Sequence, residues 1–176
     1  MKYKFTTDWS HYKYIDYTND YVTKYNKRCL EIGAFEGRTT KYLALKYQAV
    51  DVIDPWEDYW DIPNASEAYD RFIHNTKEFK NIIKVYRDTS ENVLPTLTEK
   101  YDLIYIDGDH KLESVYNDIK MSCDLLSDNG VIIVDDYGTK SLPEVRLAVI
   151  KWLKEDDNLY NIDFQSDDVQ CCFKFK

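Results

Sequence analysis

The sequence predicts an α/β domain with a seven-stranded, mostly parallel sheet, helices on both faces and an antiparallel hairpin at the C-terminal end. Three observations carry this. Short Val- and Ile-rich runs alternate with segments of helical period, the pattern of βαβ units around a parallel sheet. Gly33, Gly37 and Gly108 fall just past the ends of predicted strands, where open α/β sheets bind ligands. The last two runs are separated only by Gln165 to Asp168, which leaves room for a hairpin but not for a parallel crossover.

The strand runs, in order, are Arg28 to Ile32, Ala49 to Ile53, Ile82 to Tyr86, Leu103 to Ile106, Val131 to Val134, Tyr160 to Phe164 and Val169 to Phe175. Between the fourth and fifth, Leu112, Val115, Tyr116, Ile119, Cys123 and Leu126 form one apolar helical stripe, with Asp128, Asn129 and Gly130 as its expected stop. After the fifth, Pro143 suits a first helical turn, and Val145, Ala148, Val149 and Trp152 make a buried face. Weaker helical patterns span Arg38 to Tyr47 and Ala65 to Phe79. Residues 1–27 are tyrosine-rich without clear period and are read as a separate N-terminal segment, a helix over the site being the expectation; residues 28–176 form the domain.

At 176 residues the chain has room for one domain of the usual ~100 to 200 residues. Sixteen tyrosines and seven phenylalanines give too much apolar surface for a disordered chain. A net charge of -9 repels phosphate backbones, so no nucleic-acid partner is expected, and the short basic run Lys24 to Arg28 reads as a solvated turn. No signal core begins the chain and no stretch reaches the ~18 apolar residues of a membrane helix, so a cytoplasmic protein without a membrane partner is expected. The cysteines at 29, 123, 171 and 172 lack metal-type spacing and read as reduced thiols, with Cys171 and Cys172 on opposite faces of a strand.

The chemistry concentrates at three strand exits. Glu31-Ile-Gly33-Ala-Phe35-Glu-Gly37-Arg38 runs from strand to helix with glycines where backbone approaches a ligand closely; it is not a dinucleotide turn, because Phe35 stands where the second glycine would be. Asp54, about 20 residues beyond the turn, suits ribose hydroxyls or, equally, a loop cap. The fourth strand delivers Asp107, Gly108, Asp109 and His110, and the fifth delivers Asp135 and Asp136. Carboxylates converging there repel one another unless a cation neutralises them, and hard oxygen ligands favour Mg²⁺, with Mn²⁺ or Ca²⁺ as competitors. The competing reading is that these acids cap helices and turns.

Glycine turn, second-strand acid, IDGDH and VIIVDDYG together resemble the class I S-adenosylmethionine-dependent methyltransferases, whose fold is Rossmann-like. Within them the acidic motifs resemble the metal-dependent O-methyltransferases that act on catechols and on macrolide or aminocoumarin sugars. The resemblance implies a metal held by Asp107, Asp135 and Asp136, a base at Asp109 or His110, and a small-molecule hydroxyl acceptor. It places Glu31, Gly33 and Gly37 beside the cofactor's methionine end, Asp54 on its ribose, and Asp88 and Ser90 near its adenine, and counts Asp107 among the cofactor-binding residues. Pro55 to Trp60 and the tyrosines at 12, 14 and 17 could wall an aromatic or sugar substrate. His11 and His74 read as structural. Two rival readings are a nicotinamide oxidoreductase using Tyr116-x-x-x-Lys120 and a catalytically silent module that keeps cofactor or metal binding.

Overall fold

The computed structural model describes residues 3–7, 15, 27–57, 65–155, 162–167 and 169–175. The expected tyrosine wall at 12, 14 and 17, Tyr59, Trp60 and His11 lie outside them, as does nearly all of residues 8–26. The elements are β1 (Arg28–Ile32), α1 (Arg38–Ala44), β2 (Ala49–Ile53), α2 (Ala65–Thr76), β3 (Ile83–Tyr86), α3 (Ser90–Val93), β4 (Tyr101–Ile106), α4 (Leu112–Cys123), β5 (Leu126–Val134), α5 (Pro143–Glu155), β6 (Ile162–Ser166) and β7 (Cys171–Phe175), with single 3-10 turns at Lys77–Phe79 and Leu94–Thr96.

The strands form one seven-stranded sheet in the order β3-β2-β1-β4-β5-β7-β6. The first five are parallel; β7 runs antiparallel between β5 and β6. Chain order reverses between β1 and β4, and this switch point opens a crevice at the carboxyl ends of the strands.

Strand alternation sorts the core into two layers. Leu30, Ile32, Ile104, Ile106, Ile132 and Val134 meet α4 and α5 on one face, where Trp152 stacks on Phe173 with centroids 4.8 Å apart. Cys29, Val50, Val52, Leu103, Tyr105 and Ile133 meet α1 and α2 on the other. Cys171 and Cys172 go to opposite layers, as the alternation requires, and all four cysteines are free thiols.

The boundary between α4 and β5 is corrected. The α4 helix ends at Cys123, and Leu126 belongs to β5 rather than to the helical stripe. Asp128, Asn129 and Gly130 therefore do not stop the helix; they lie in an irregular stretch of β5, where pairing jumps from Tyr101 with Leu126 to Leu103 with Val131. Close approach explains the glycine, since a Cβ at position 130 would lie 2.7 Å from the Tyr101 carbonyl oxygen. No helix among the described residues is long and apolar enough to cross a membrane.

Candidate active site

The crevice is a cavity of about 850 Å³. Its walls come from the exits of β1 (Glu31 to Glu36, with Arg38 and Thr39), β2 (Ile53 to Glu57), β3 (Thr89 to Glu91) and β4 (Asp107 to Lys111, with Glu113 and Ser114), together with Ser141 to Glu144; Gly37, expected beside the cofactor, is not among the lining residues.

The first turn is held by its neighbours. Gly33 adopts φ +86°, and a Cβ on it would lie 2.0 Å from the Asp107 carbonyl oxygen. The expected close approach is therefore between two strand exits, β1 and β4, before any ligand is considered. Phe35 also has positive φ, 47°, so the position carries the left-handed backbone of a glycine without being one. Asp54 stabilises this turn: Oδ2 accepts from the amides of Ala34 (2.8 Å) and Phe35 (2.9 Å), and Oδ1 from the amide of Trp56 (2.7 Å). Trp56, itself at φ 47°, donates its indole N–H to the Phe35 carbonyl at 2.8 Å and packs on Tyr69 and Phe72. Asp54 thus acts as a loop cap while lining the cavity.

Glu31 is fully buried on the cavity wall, and neither carboxylate oxygen has a well-formed hydrogen bond. Burial pushes its carboxyl well above the usual range; Thr40 offsets this, while the charges of Asp107 and Asp54 add to it. A buried carboxylate without a partner fits a cationic ligand group.

A strap closes the same end. Thr6 donates its amide and hydroxyl to the buried Glu36 carboxylate, both at 2.6 Å, while Arg71 Nε donates to Glu36 Oε1 at 2.5 Å. Asn75 exchanges hydrogen bonds with the Lys4 backbone, and the Arg38 guanidinium lies 4.2 Å over the Phe5 ring. Phe5 and Thr7 thereby become cavity wall.

Asp107 and His110 on the cavity wall, with Asp136 beside it, bring one ligand atom each within 4.8 Å of one another. His110 Nε2 lies 3.3 Å from Asp136 Oδ2 and 3.8 Å from Asp107 Oδ1, distances of an ion pair rather than of aligned hydrogen bonds. Asp107 and then Asp136 push the His110 imidazole up to about 10. Enclosure by protein pushes the Asp107 carboxyl up to about 7; His110 opposes this, and Asp135 and Asp136 reinforce it. Asp136 holds φ 57°, left-handed for a residue with a Cβ, and accepts from the Thr139 hydroxyl at 2.6 Å. Such an outlier at a cluster of acids is the kind of strain that functional sites retain.

The expected metal trio is altered at one position. Asp135 is buried and turned into the sheet, accepting from the Tyr105 hydroxyl (2.6 Å) and the Asp136 amide (3.0 Å), while Gln170 donates to the Tyr105 oxygen at 3.0 Å. It lies outside the group of ligand atoms, and His110 stands within it. Asp109 lines the cavity, and its Oδ2 takes bonds from Ser114 (2.9 Å) and Lys111 (3.2 Å).

Of the expected adenine pair, Ser90 lines the cavity and Asp88 does not. Asp88 is exposed, and its carboxylate accepts from the Thr89 amide and the Asn92 side-chain amide at the start of α3. Tyr116 and Lys120 are likewise absent from the cavity wall, and the Tyr116 hydroxyl donates to Glu155 at 2.7 Å, which removes the basis of the nicotinamide reading. His74 lies on α2, away from the cavity wall. Two contributors escaped the sequence reading. Asp118 falls at the buried spacing of Val115, Ile119 and Ser122, and a carboxylate in a core stripe was the available signal. Glu36 lay unremarked inside the glycine turn.

Residues 30–137 match the model of a methyltransferase-domain family. An O-methyltransferase of Aspergillus hancockii is 33% identical over 114 residues, 62% of this chain and 42% of that protein. The chain spans about half the length of the curated relatives it matches, 42% and 57%. Among solved structures, a candidate rRNA methylase of Clostridium thermocellum superposes with a TM-score of 0.74 at 17% identity, covering 93% of this chain and 96% of that one. The O-methyltransferase TomG of Streptomyces achromogenes, involved in tomaymycin synthesis and solved in complex with S-adenosylmethionine, superposes with a TM-score of 0.64 at 16% identity, covering 85% and 73%. These likenesses show the fold that the motifs imply, a Rossmann-like class I methyltransferase fold, and with the family match covering most of the sheet and its switch point, the chain belongs to the methyltransferase-domain family.

Proposed function

We propose that residues 28–176 form a domain that uses S-adenosylmethionine to methylate a hydroxyl of a small molecule, with a divalent cation at the β4 and β5 exits. The observation that carries the reading is Glu31, a buried carboxylate without a hydrogen-bond partner on the wall of a cavity at the switch point. When bound, the cofactor supplies a methyl group on positive sulfur, so that transfer to oxygen breaks the C–S bond and its electron pair stays on sulfur.

The residues divide the work. Glu31 faces the cofactor's positive end; Asp54 fixes the turn that forms the ribose wall; Ser90 lines the adenine end. Asp107 and Asp136, joined by His110 in place of Asp135, would hold the cation; the two carboxylates suit Mg²⁺ or Mn²⁺, and the imidazole favours the softer Mn²⁺ of the two. The cation would supply Lewis acidity toward the acceptor oxygen. Without it, the His110 imidazolium balances the same two acids. The acceptor's proton goes to Asp109, because its bonds to Ser114 and Lys111 both fall on Oδ2 and Oδ1 keeps its lone pairs. His110, whose ring nitrogen would be engaged by the cation, is the weaker candidate for the base.

A small acceptor agrees with a cavity near the top of the ~300 to 1,000 Å³ range of small-molecule sites. It also agrees with a net charge of -9, which opposes an RNA acceptor. The test is a mass-spectrometric methylation screen over catechols and sugar hydroxyls, with Mg²⁺ and with EDTA. Methylated product that falls on chelation is expected; no product from any hydroxyl, beside intact cofactor binding, would leave the silent-module reading standing.

A further inference from the structure

We infer that Tyr105, braced by Gln170, is a positioning residue of the cation site: its hydroxyl holds Asp135 in the sheet, and Asp135 in turn holds the Asp136 backbone so that the Asp136 carboxylate faces His110. This rests on the proposed cation and names the residue that shapes its site from outside it.

The relay of bonds is continuous and buried. Tyr105 lies on β4 with 0% exposure, two residues before Asp107, and donates to Asp135 Oδ2 at 2.6 Å. Gln170, 1% exposed, gives its side-chain amide to the Tyr105 oxygen at 3.0 Å, which leaves the hydroxyl proton for Asp135. The hairpin turn fixes Gln170 in its place, since Asp167 Oδ1 accepts from the amides of Val169 (2.8 Å) and Gln170 (2.7 Å). Asp135 Oδ1 then accepts from the Asp136 amide at 3.0 Å. Both oxygens of Asp135 are thereby engaged inside the sheet, and the hairpin of β6 and β7 is tied to the β5 exit.

The relay ends at Asp136. Its φ of 57° is costly for a residue with a Cβ and persists only where neighbours over-determine it. Three bonds do so: the bond from its amide to Asp135, the Thr139 hydroxyl on Oδ1 at 2.6 Å, and the Thr139 amide on the Asp136 carbonyl at 3.1 Å. With Oδ1 taken by Thr139, it is Oδ2 that stands 3.3 Å from His110 Nε2. Removing the Tyr105 hydroxyl leaves the buried Asp135 carboxylate short of a donor, which favours a turn of that side chain and loosens the first of the three bonds. Partners that orient metal ligands in this way typically contribute ~10- to 100-fold to metal affinity.

The experiment measures Mn²⁺ affinity by electron paramagnetic resonance in the wild-type protein, Tyr105→Phe and Tyr101→Phe. Tyr101 is the control: it lies on the same strand, is as fully buried and donates to Asp51 Oδ2 at the same 2.6 Å, but at the entry of β4 rather than its exit. Tyr105→Phe is expected to weaken Mn²⁺ binding ~10-fold or more, and Tyr101→Phe to stay within about twofold of wild type. A second measurement needs no cation. In Tyr105→Phe, hydrogen exchange followed by NMR is expected to quicken at the Asp136 amide more than at the Asp135 amide, which bonds the Ile106 carbonyl at 2.9 Å and would feel a general loss of stability equally. Unchanged Mn²⁺ affinity in Tyr105→Phe, an equal loss in the two variants, or exchange that quickens alike at both amides would overturn the inference. Wild-type protein that binds no Mn²⁺ would instead overturn the cation reading, and the exchange comparison would still decide whether Tyr105 holds Asp136.

Discussion

Replacing Gly33 by alanine adds one methyl group at the junction on which the site depends. Two costs follow from the geometry. The φ of +86° is left-handed, which costs a residue with a Cβ about 1–2 kcal/mol. The new carbon would also stand 2.0 Å from the Asp107 carbonyl oxygen, where ordinary contact begins at 3.4 Å, and backbone cannot swing aside. Parting the β1 and β4 exits strains the bonds from Asp107 N to Ile32 O (2.8 Å) and from Gly33 N to Ile53 O (2.9 Å). At roughly 1 kcal/mol for each weakened bond, the total is ~3–4 kcal/mol, a large part of a domain's ~5–15. Urea unfolding is expected to show the midpoint falling by that amount at unchanged slope. Gly37→Ala is the comparison: it has a similar φ, +78°, but its Cβ meets the side chains of Thr76 and Phe72 at 2.8 and 2.9 Å, which can give way. A loss below ~1 kcal/mol at Gly33, or a larger loss at Gly37, would refute the reasoning.

Other perturbations test the remaining parts. Glu36→Ala leaves Arg71 with only its exposed partner Glu67 and frees Thr6, so a stability loss of about 2 kcal/mol and faster release of S-adenosylhomocysteine in stopped flow are expected; an unchanged release rate would mean the strap is ornamental. Asp136→Ala is expected to remove metal stimulation of turnover while the thermal shift with S-adenosylhomocysteine persists, and stimulation that survives would discard the proposed cation site. Asp109→Asn is expected to lower kcat by ~10²-fold or more with little change in cofactor affinity, whereas a full rate would pass the proton to another group. Because the folded Asp118 carboxyl lies at about 7, above its ordinary 3.8, the native state holds a proton that the unfolded chain releases. Its contribution is therefore complete below about pH 4 and is lost as pH rises through 7, an effect of up to ~4 kcal/mol that Asp118→Asn should flatten in urea titrations across that window.

Most of the sheet was legible because its strands announce themselves. RCLEI and AVDVI are short, apolar on both faces and bounded by turns, and both match the observed strands at each end. The insertion of β7 between β5 and β6 was not legible, since periodicity reports faces and not neighbours. The Asp128 to Gly130 stop failed because turn residues also mark an irregular strand, and only pairing with Tyr101 tells the two apart. At the site, sequence brought Asp107, His110 and Asp136 to adjacent strand exits. It could not tell Asp135 from Asp136: the two alternate across the strand exit, and the Tyr105 hydroxyl, fixed by tertiary packing, claims the first of them. Asp88 and Asp118 show the same limit. One sits at the expected place in the chain and bonds its own neighbours Thr89 and Asn92; the other lies in a core stripe and reaches the cavity.

The most direct test of the cofactor assignment is calorimetric titration of the protein with S-adenosylhomocysteine, with NADH as the control ligand. One-to-one binding in the micromolar range, weakened in Glu31→Gln and absent for NADH, is the expected result. No heat with S-adenosylhomocysteine, or binding of NADH in its place, would contradict the reading of the crevice as a methyl-donor site.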